Sequence, residues 1–201
     1  MIAIVDYGVG NLGSVRNMLK RVGLQGLITS DRAELAQAQK IILPGVGAFD
    51  YAMQRLNDSG LRETLDHKAL IEKVPVLGIC LGMQLLTNGS EEGQLPGLGY
   101  IPATAHRFPA HVDLKVPHMG WNVVQPSTPS AIIEGLNDDA RFYFVHSFYV
   151  RVQDESHSIL KCEYGVTFDA GIARDNVYGW QFHPEKSHRF GQRLFSNFGA
   201  L

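Results

Sequence analysis

VPVLGICLGMQLL, residues 74–86, is the stretch that decides how this chain is read. Residues 74–79 form a short apolar run of the length and composition of a buried strand, and residues 82–86 begin a helix. Between them stands Gly78-Ile79-Cys80-Leu81-Gly82, the pattern of a nucleophile elbow with cysteine at its apex. A strand that turns this sharply into a helix crowds the backbone on either side of the apex, and a glycine two residues before and two after relieves the crowding. Peptide dipoles and free N–H groups at the start of a helix favour a thiolate, the nucleophilic form of cysteine. The N–H of Leu81 is placed to face a developing oxyanion. A buried structural cysteine beside two packing glycines would look the same in isolation, so the reading needs a base.

Working outward, the first half of the chain alternates in type. Strands are expected at 2–5, 24–29, 40–43 and 74–79. Helices are expected at 14–22, 33–38 (capped by Asp31), 49–56, 61–71 and from 82. This alternation predicts an α/β fold, a doubly wound, mixed but mostly parallel sheet with helices on both faces. The second half reads as strands at 121–124, 141–150, 158–163, 171–174 and 177–182 joined by short turns, so antiparallel or mixed pairing is expected there. A closing helix is expected over 187–201, with Phe190, Leu194 and Phe198 on one side. Residues 125–130, with Pro126 and Pro129, are the most loop-like segment. No repeat, low-complexity tract or linker divides the chain, so one domain over residues 1–201 is expected.

The base is found near the other end, in Gly179-Trp180-Gln181-Phe182-His183-Pro184-Glu185-Lys186-Ser187. Pro184 disfavours the helical region for His183, and in an extended chain residues two apart point the same way. His183 and Glu185 can then lie side by side, the carboxylate orienting the imidazole while its other nitrogen faces a thiol. That is the logic of a Cys-His-acid triad. Among eight histidines, His183 alone is followed by proline and then an acid. His146, in the apolar run YFVHSFY, reads as a hydrogen-bonded core histidine, and His118 follows Pro117 with no acid nearby. Pro44-Gly45-Val46-Gly47, directly after a strand, lets backbone N–H groups approach a ligand, and the Val46 N–H is the simplest second oxyanion donor.

Bulk properties exclude several classes. The 201 residues carry a net charge of −2 with no strongly basic half, which argues against a nucleic-acid partner. No apolar run approaches bilayer length. Two cysteines, Cys80 and Cys162, do not make a disulfide scaffold. Cys162 reads as a small apolar residue in a strand. No group of His, Cys, Asp and Glu has metal-ligand spacing, so neither metal nor cofactor is expected. With no basic leader or cleavage site at the N-terminus, a reducing compartment such as the cytoplasm is the expected location. One motif competes for the role of working site: Gly8-Val9-Gly10-Asn11-Leu12-Gly13 is a literal G-x-G-x-x-G after a strand, with Asp31 at about the distance of a ribose-binding acid. Asp6-Tyr7 interrupts the apolar strand just before it, and a nicotinamide enzyme would leave the Cys-His-Glu pattern unexplained.

GICLGMQLL, PGVGAF and FHPEKS, at these separations, resemble the class I, triad-type glutamine amidotransferases. PHMGW (residues 117–121) and YFVHSFY (residues 143–149) narrow the resemblance to the glutaminase subunits of imidazole glycerol phosphate synthases, and it runs essentially end to end. It implies a flavodoxin-like fold and a glutaminase in which Cys80 attacks the carboxamide of L-glutamine, His183 moves the proton and Glu185 orients His183. Gln84 and Glu92 match positions that bind the glutamine head group, completed by backbone around Gly47, Ser147 and Phe148. Phe148 stands where the family leads one to expect a tyrosine, which removes a hydroxyl contact. The implied partner is a (β/α)8-barrel cyclase subunit that receives ammonia through its core. With it, the barrel converts the ribulosyl phosphate precursor PRFAR into imidazole glycerol phosphate and AICAR in histidine biosynthesis. Asn11, Trp121 and Lys186 match the face that meets such a partner. The amidotransferase subunit of another synthase, such as anthranilate synthase, and a related cysteine hydrolase remain the alternatives.

Overall fold

Parallel strands buried on both faces show no polar alternation, and the N-terminal IAIV and the KIIL that begins at Lys40 have that character. In the computed structural model, which describes residues 1–110 and 114–201, these segments lie side by side in an eight-stranded sheet. The first half contributes β1 (Ile2–Val5), β2 (Gly26–Thr29), β3 (Lys40–Gly45) and β4 (Val76–Cys80). Its helices are α1 (Leu12–Arg21), α2 (Arg32–Ala36), α3 (Phe49–Asp58), α4 (Arg62–Asp66) and α5 (Leu81–Leu85). The second half adds β5 (Ala103–Arg107), β6 (His118–Val123), β7 (Gln125–Pro126), β8 (Arg141–His146), β9 (Phe148–Val152), β10 (Ser158–Glu163), β11 (Thr167–Arg174), β12 (Val177–Trp180) and α6 (His188–Ala200).

The strand order is β2-β1-β3-β4-β12-β11-β10-β7. Pairing is parallel from β2 through β12 and antiparallel from β12 to β7. The expected mixed, mostly parallel sheet is present, and so are helices on both faces. Along β1 the side chains alternate between two cores. Ala3 and Val5 face a layer containing Leu35, Phe49, Leu56, Leu65 and Met83 from α2 to α5. Ile2 and Ile4 face Val15, Met18 and Leu19 of α1 and Leu194, Phe195 and Phe198 of α6. Phe190 packs against the edge of that second core.

Several elements depart from expectation. The single strand expected over 141–150 is two, broken at Ser147: β8 pairs with β6 and β9 pairs with β5, in two small antiparallel sheets outside the main one. Aromatic and β-branched residues continue on both sides of His146-Ser147, so the periodicity does not mark the break. β5, whose ATAHR is mostly polar or small, gives no strand signal. Residues 125–126, read as loop, form a short edge strand, where Pro126 is tolerated because an outer edge needs no donor. The helix expected over 61–71 changes at its midpoint from α4 to a π-helical turn, His67–Ile71.

The glycine-rich N-terminal loop has a structural explanation. Asn11 caps α1, its side chain accepting from the Ser14 N–H at 3.3 Å, so one of the N–H groups at the helix start that a pyrophosphate would use already has a partner. Asp31 caps α2, accepting from the N–H groups of Ala33 (2.7 Å) and Glu34 (3.0 Å). Neither residue is left free in the manner a dinucleotide fingerprint requires.

Candidate active site

The elbow is built where β4 meets α5. Cys80 sits at φ +56° and ψ −113°, a region that costs a non-glycine residue of order 1–3 kcal/mol and persists only where the surroundings enforce it. The motif glycines supply that enforcement. A Cβ on Gly82 would lie 1.8 Å from the carbonyl oxygen of Leu43 in β3, and one on Gly78 would lie 2.6 Å from the carbonyl oxygen of Gly82. The turn therefore packs backbone against backbone, and any side chain there would push the sulfur out of place.

β12 runs parallel to β4, with Trp180 opposite Ile79, so the residues that follow both strands emerge at the same carboxyl edge of the sheet. This brings residues a hundred apart in sequence to one place. His183 is anchored by its N–H donating to the Tyr143 carbonyl at 2.8 Å, and its carbonyl accepts from Ser187 Oγ at 2.6 Å. His183 itself is extended (φ −100°, ψ 92°), but Pro184–Lys186 form a 3-10 turn with the proline at its first position. Glu185 thus reaches the imidazole by a tight turn and not by strand alternation. The contact is made all the same: His183 Nδ1 lies 2.8 Å from Glu185 Oε1, both side chains almost fully buried.

Electrostatics at this pair are set by competing causes. Burial opposes the charged imidazole. Hydrogen-bonding and charge interactions with the Cys80 sulfur, and then with Glu185, outweigh it and push His183 up to about 10. His183 Nε2 is buried without a well-aligned hydrogen-bond partner among the described residues, so it is available to the sulfur and to whatever enters the site. Gln181 Nε2 donates to Cys80 Sγ at 3.9 Å.

Cys80 and His183 open onto a cavity of about 300 Å³ lined also by Val46, Gly47, Leu81, Gln84, Glu92, Pro117, Val145, His146, Ser147 and Phe148. Every residue singled out from sequence as nucleophile, base, oxyanion donor or head-group ligand borders this space, with Glu185 behind the base. Gln84 is tied in: its Nε2 donates to the Phe148 carbonyl (3.1 Å) and to Gln181 Oε1 (3.1 Å), leaving its carbonyl oxygen as the atom open to a ligand. Glu92 Oε2 accepts from the Phe49 N–H at the start of α3 (2.9 Å). Sequence reasoning missed Gln181, although it stands two residues before His183, the spacing that puts side chains on one face of an extended chain.

Asn11, Trp121 and Lys186 do not border the cavity. Trp121 is 47% exposed, between the exposed Met119 and Val123 on the outward side of β6, and stacks on His188 at 5.5 Å between ring centres. Lys186 lies 5.5 Å over the Tyr143 ring. Among the described residues, no cluster of three or more His, Cys, Asp or Glu could hold a metal ion, and no helix is long and apolar enough to cross a membrane. Burial raises the Cys162 thiol to about 12, as befits an inert packing residue.

Comparison with known proteins places this geometry. The family model described as "Glutamine amidotransferase class-I" matches residues 3–200. The chain is 54% identical, over the full length of both, to imidazole glycerol phosphate synthase subunit HisH 2 of Pseudomonas aeruginosa. It is 50% identical over 98% of each chain to the subunit of the same name from Methanococcus maripaludis. Among solved structures it superposes on a glutamine amidotransferase with a TM-score of 0.78, covering 100% of both chains at 17% identity. It also superposes on a glutamine amidotransferase from Thermotoga maritima with a TM-score of 0.67 at 16% identity, covering 99% of this chain and 82% of that one. With the triad geometry above, these likenesses place the chain in the class I glutamine amidotransferase family.

Proposed function

We propose that this chain is the glutaminase subunit of an imidazole glycerol phosphate synthase, acting as one domain over residues 1–201 in the cytoplasm. The observation that carries the reading is the convergence of Cys80 and His183 on a cavity of about 300 Å³, with Glu185 on the far nitrogen of the imidazole. The full-length likeness to subunits named for that synthase supplies the choice of substrate and pathway.

In this reading the Cys80 sulfur adds to the side-chain carboxamide carbon of glutamine. The negative oxygen that forms is met by backbone N–H groups of Leu81 and Val46. His183, already protonated, gives its proton to the departing nitrogen, and the carbon–nitrogen bond breaks to leave ammonia and a glutamyl thioester. Neutral His183 then takes a proton from water, whose oxygen attacks the thioester, releasing glutamate and the sulfur. Glu185 holds the imidazole tautomer and compensates its charge. Glu92 and the Gln84 carbonyl face the substrate ammonium, and the backbone of Gly47, Ser147 and Phe148 meets its carboxylate.

Ammonia at neutral pH is mostly ammonium, which is not a nucleophile, so a closed path to a synthase active site has a chemical rationale. The partner is a (β/α)8-barrel cyclase that uses the ammonia to make imidazole glycerol phosphate and AICAR from PRFAR. Met119, Trp121 and Val123, an exposed apolar stripe near Lys186, and Asn11 form the docking face. The test is glutaminase turnover of the purified chain with and without that cyclase and its ligand. Activity that rises at least about a hundredfold on adding both, and vanishes in Cys80→Ala, is expected. Stimulation by an anthranilate-forming partner alone, or strong activity on esters or peptides without any partner, overturns the assignment.

A further inference from the structure

Two buried imidazoles are not used by the chemistry above. His118 and His146 face each other across the β6–β8 ladder, with His118 Nδ1 2.9 Å from His146 Nε2. His146 Nδ1 lies 2.8 Å from the Phe148 carbonyl, two residues along its own chain. Asn122 Nδ2 lies 3.2 Å from His118 Nε2 and also donates to the Glu163 carbonyl at 3.0 Å. A carbonyl oxygen only accepts, so His146 Nδ1 carries the proton. In a neutral ring Nε2 is then the acceptor, so His118 Nδ1 carries its proton and His118 Nε2 accepts from Asn122. Burial keeps both rings neutral, holding His118 down to about 4 and His146 to about 3. The direction of each bond in the chain is fixed.

The chain ends at the substrate pocket. His146, Ser147 and Phe148 border the cavity, and the Phe148 carbonyl takes a second N–H from Gln84. His118 does not border it. It is sandwiched between Phe144 (4.7 Å between ring centres) and Tyr164 (3.9 Å). Ser147 is where the backbone leaves one small sheet for another, a break with no ladder bonds of its own to hold it. The His146-to-Phe148 bond spans that break.

We propose that His146, held in its Nδ1–H form by His118, is a positioning residue that staples the Ser147–Phe148 backbone into the shape that receives the glutamine head group. The inference rests on the glutaminase reading and adds a determinant of substrate affinity 28 residues away in sequence from its partner. It predicts an asymmetry between two substitutions of similar size. Asparagine at 146 puts its Nδ2 where Nδ1–H stood and keeps the bond to Phe148. Glutamine puts its amide where Nε2 stood and leaves that carbonyl without it.

In the complex with the cyclase, His146→Asn should keep the KM for glutamine within about threefold, whereas His146→Gln should raise it about tenfold with kcat changed much less. His118→Phe keeps the aromatic stack but removes the donor that sets the tautomer, and should raise KM by a similar factor although residue 118 does not touch the cavity. Equal effects of Asn and Gln at 146, or an unchanged KM in His118→Phe, overturn the proposal. If a variant does not fold, nitrogen-15 NMR of the wild-type imidazoles decides it: Nδ1–H on both rings supports the staple, and Nε2–H on His146 refutes it. An inactive wild-type complex would sink the glutaminase reading, while the tautomers would still settle the staple.

Discussion

Cys80 is strained, and His183 is charged because of what surrounds it. Its raised value has a thermodynamic counterpart. A group whose folded pKa lies above its unfolded one, near 6.5 for histidine, stabilises the fold fully below the unfolded value. That contribution is lost as pH rises through the folded value, here about 10. The difference in thermal midpoint between wild type and His183→Gln should therefore be larger at pH 6 than at pH 10. A difference that stays constant across that window would show that His183 is not held charged by Cys80 and Glu185. His118 and His146, held down by burial, contribute no charge in the same range.

At the scale of elements, the base is held in place by α6. A Cβ on Gly191, in the first turn of that helix, would fall 1.8 Å from the Pro184 carbonyl oxygen. The helix thus seats directly on the turn that joins His183 to Glu185. Gly191→Ala must move one or the other, and overpacking of this kind costs about 1–3 kcal/mol or more. Both the denaturation midpoint and kcat should fall, kcat by about tenfold or more because misplacing a proton-transfer group by an ångström is expensive. A variant with lowered stability and wild-type kcat would show that the turn is held from elsewhere. The same scale shows what was legible in the sequence. The alternating half read cleanly because buried parallel strands and amphipathic helices have opposite periodicities, and the elbow announced itself through paired glycines. The break at Ser147, the polar strand β5 and the edge strand at Pro126 were not legible, since each is set by a partner strand and not by its own composition. The triad residues could be named, but not the turn by which Glu185 arrives, nor Gln181, whose contact with the sulfur exists only once β12 lies beside β4.

At the scale of the whole molecule, the outward side of β6 presents Met119, Trp121 and Val123 at 61%, 47% and 42% exposure. On the function proposed above, this is the face that the cyclase covers. Trp121→Ala should weaken assembly with the cyclase at least about tenfold, as expected for a central interface tryptophan, and leave the folded chain's melting point nearly unchanged. Titration calorimetry of the two subunits measures the first and calorimetric unfolding the second; unaltered affinity would move the docking face elsewhere.

β12, the last strand in chain order, is threaded into the middle of the sheet between β4 and β11. Until it enters, β4 has an open flank and the cysteine at its tip has no imidazole beside it. A chain still emerging, or one that has come partly undone, accordingly carries an exposed seam prone to sticking. On the proposed chemistry it is also disarmed: it holds a sulfur but cannot liberate ammonia. Completion of the sheet and the meeting of sulfur with imidazole are one event, because the strand that closes the gap beside β4 is the one that carries His183 to it.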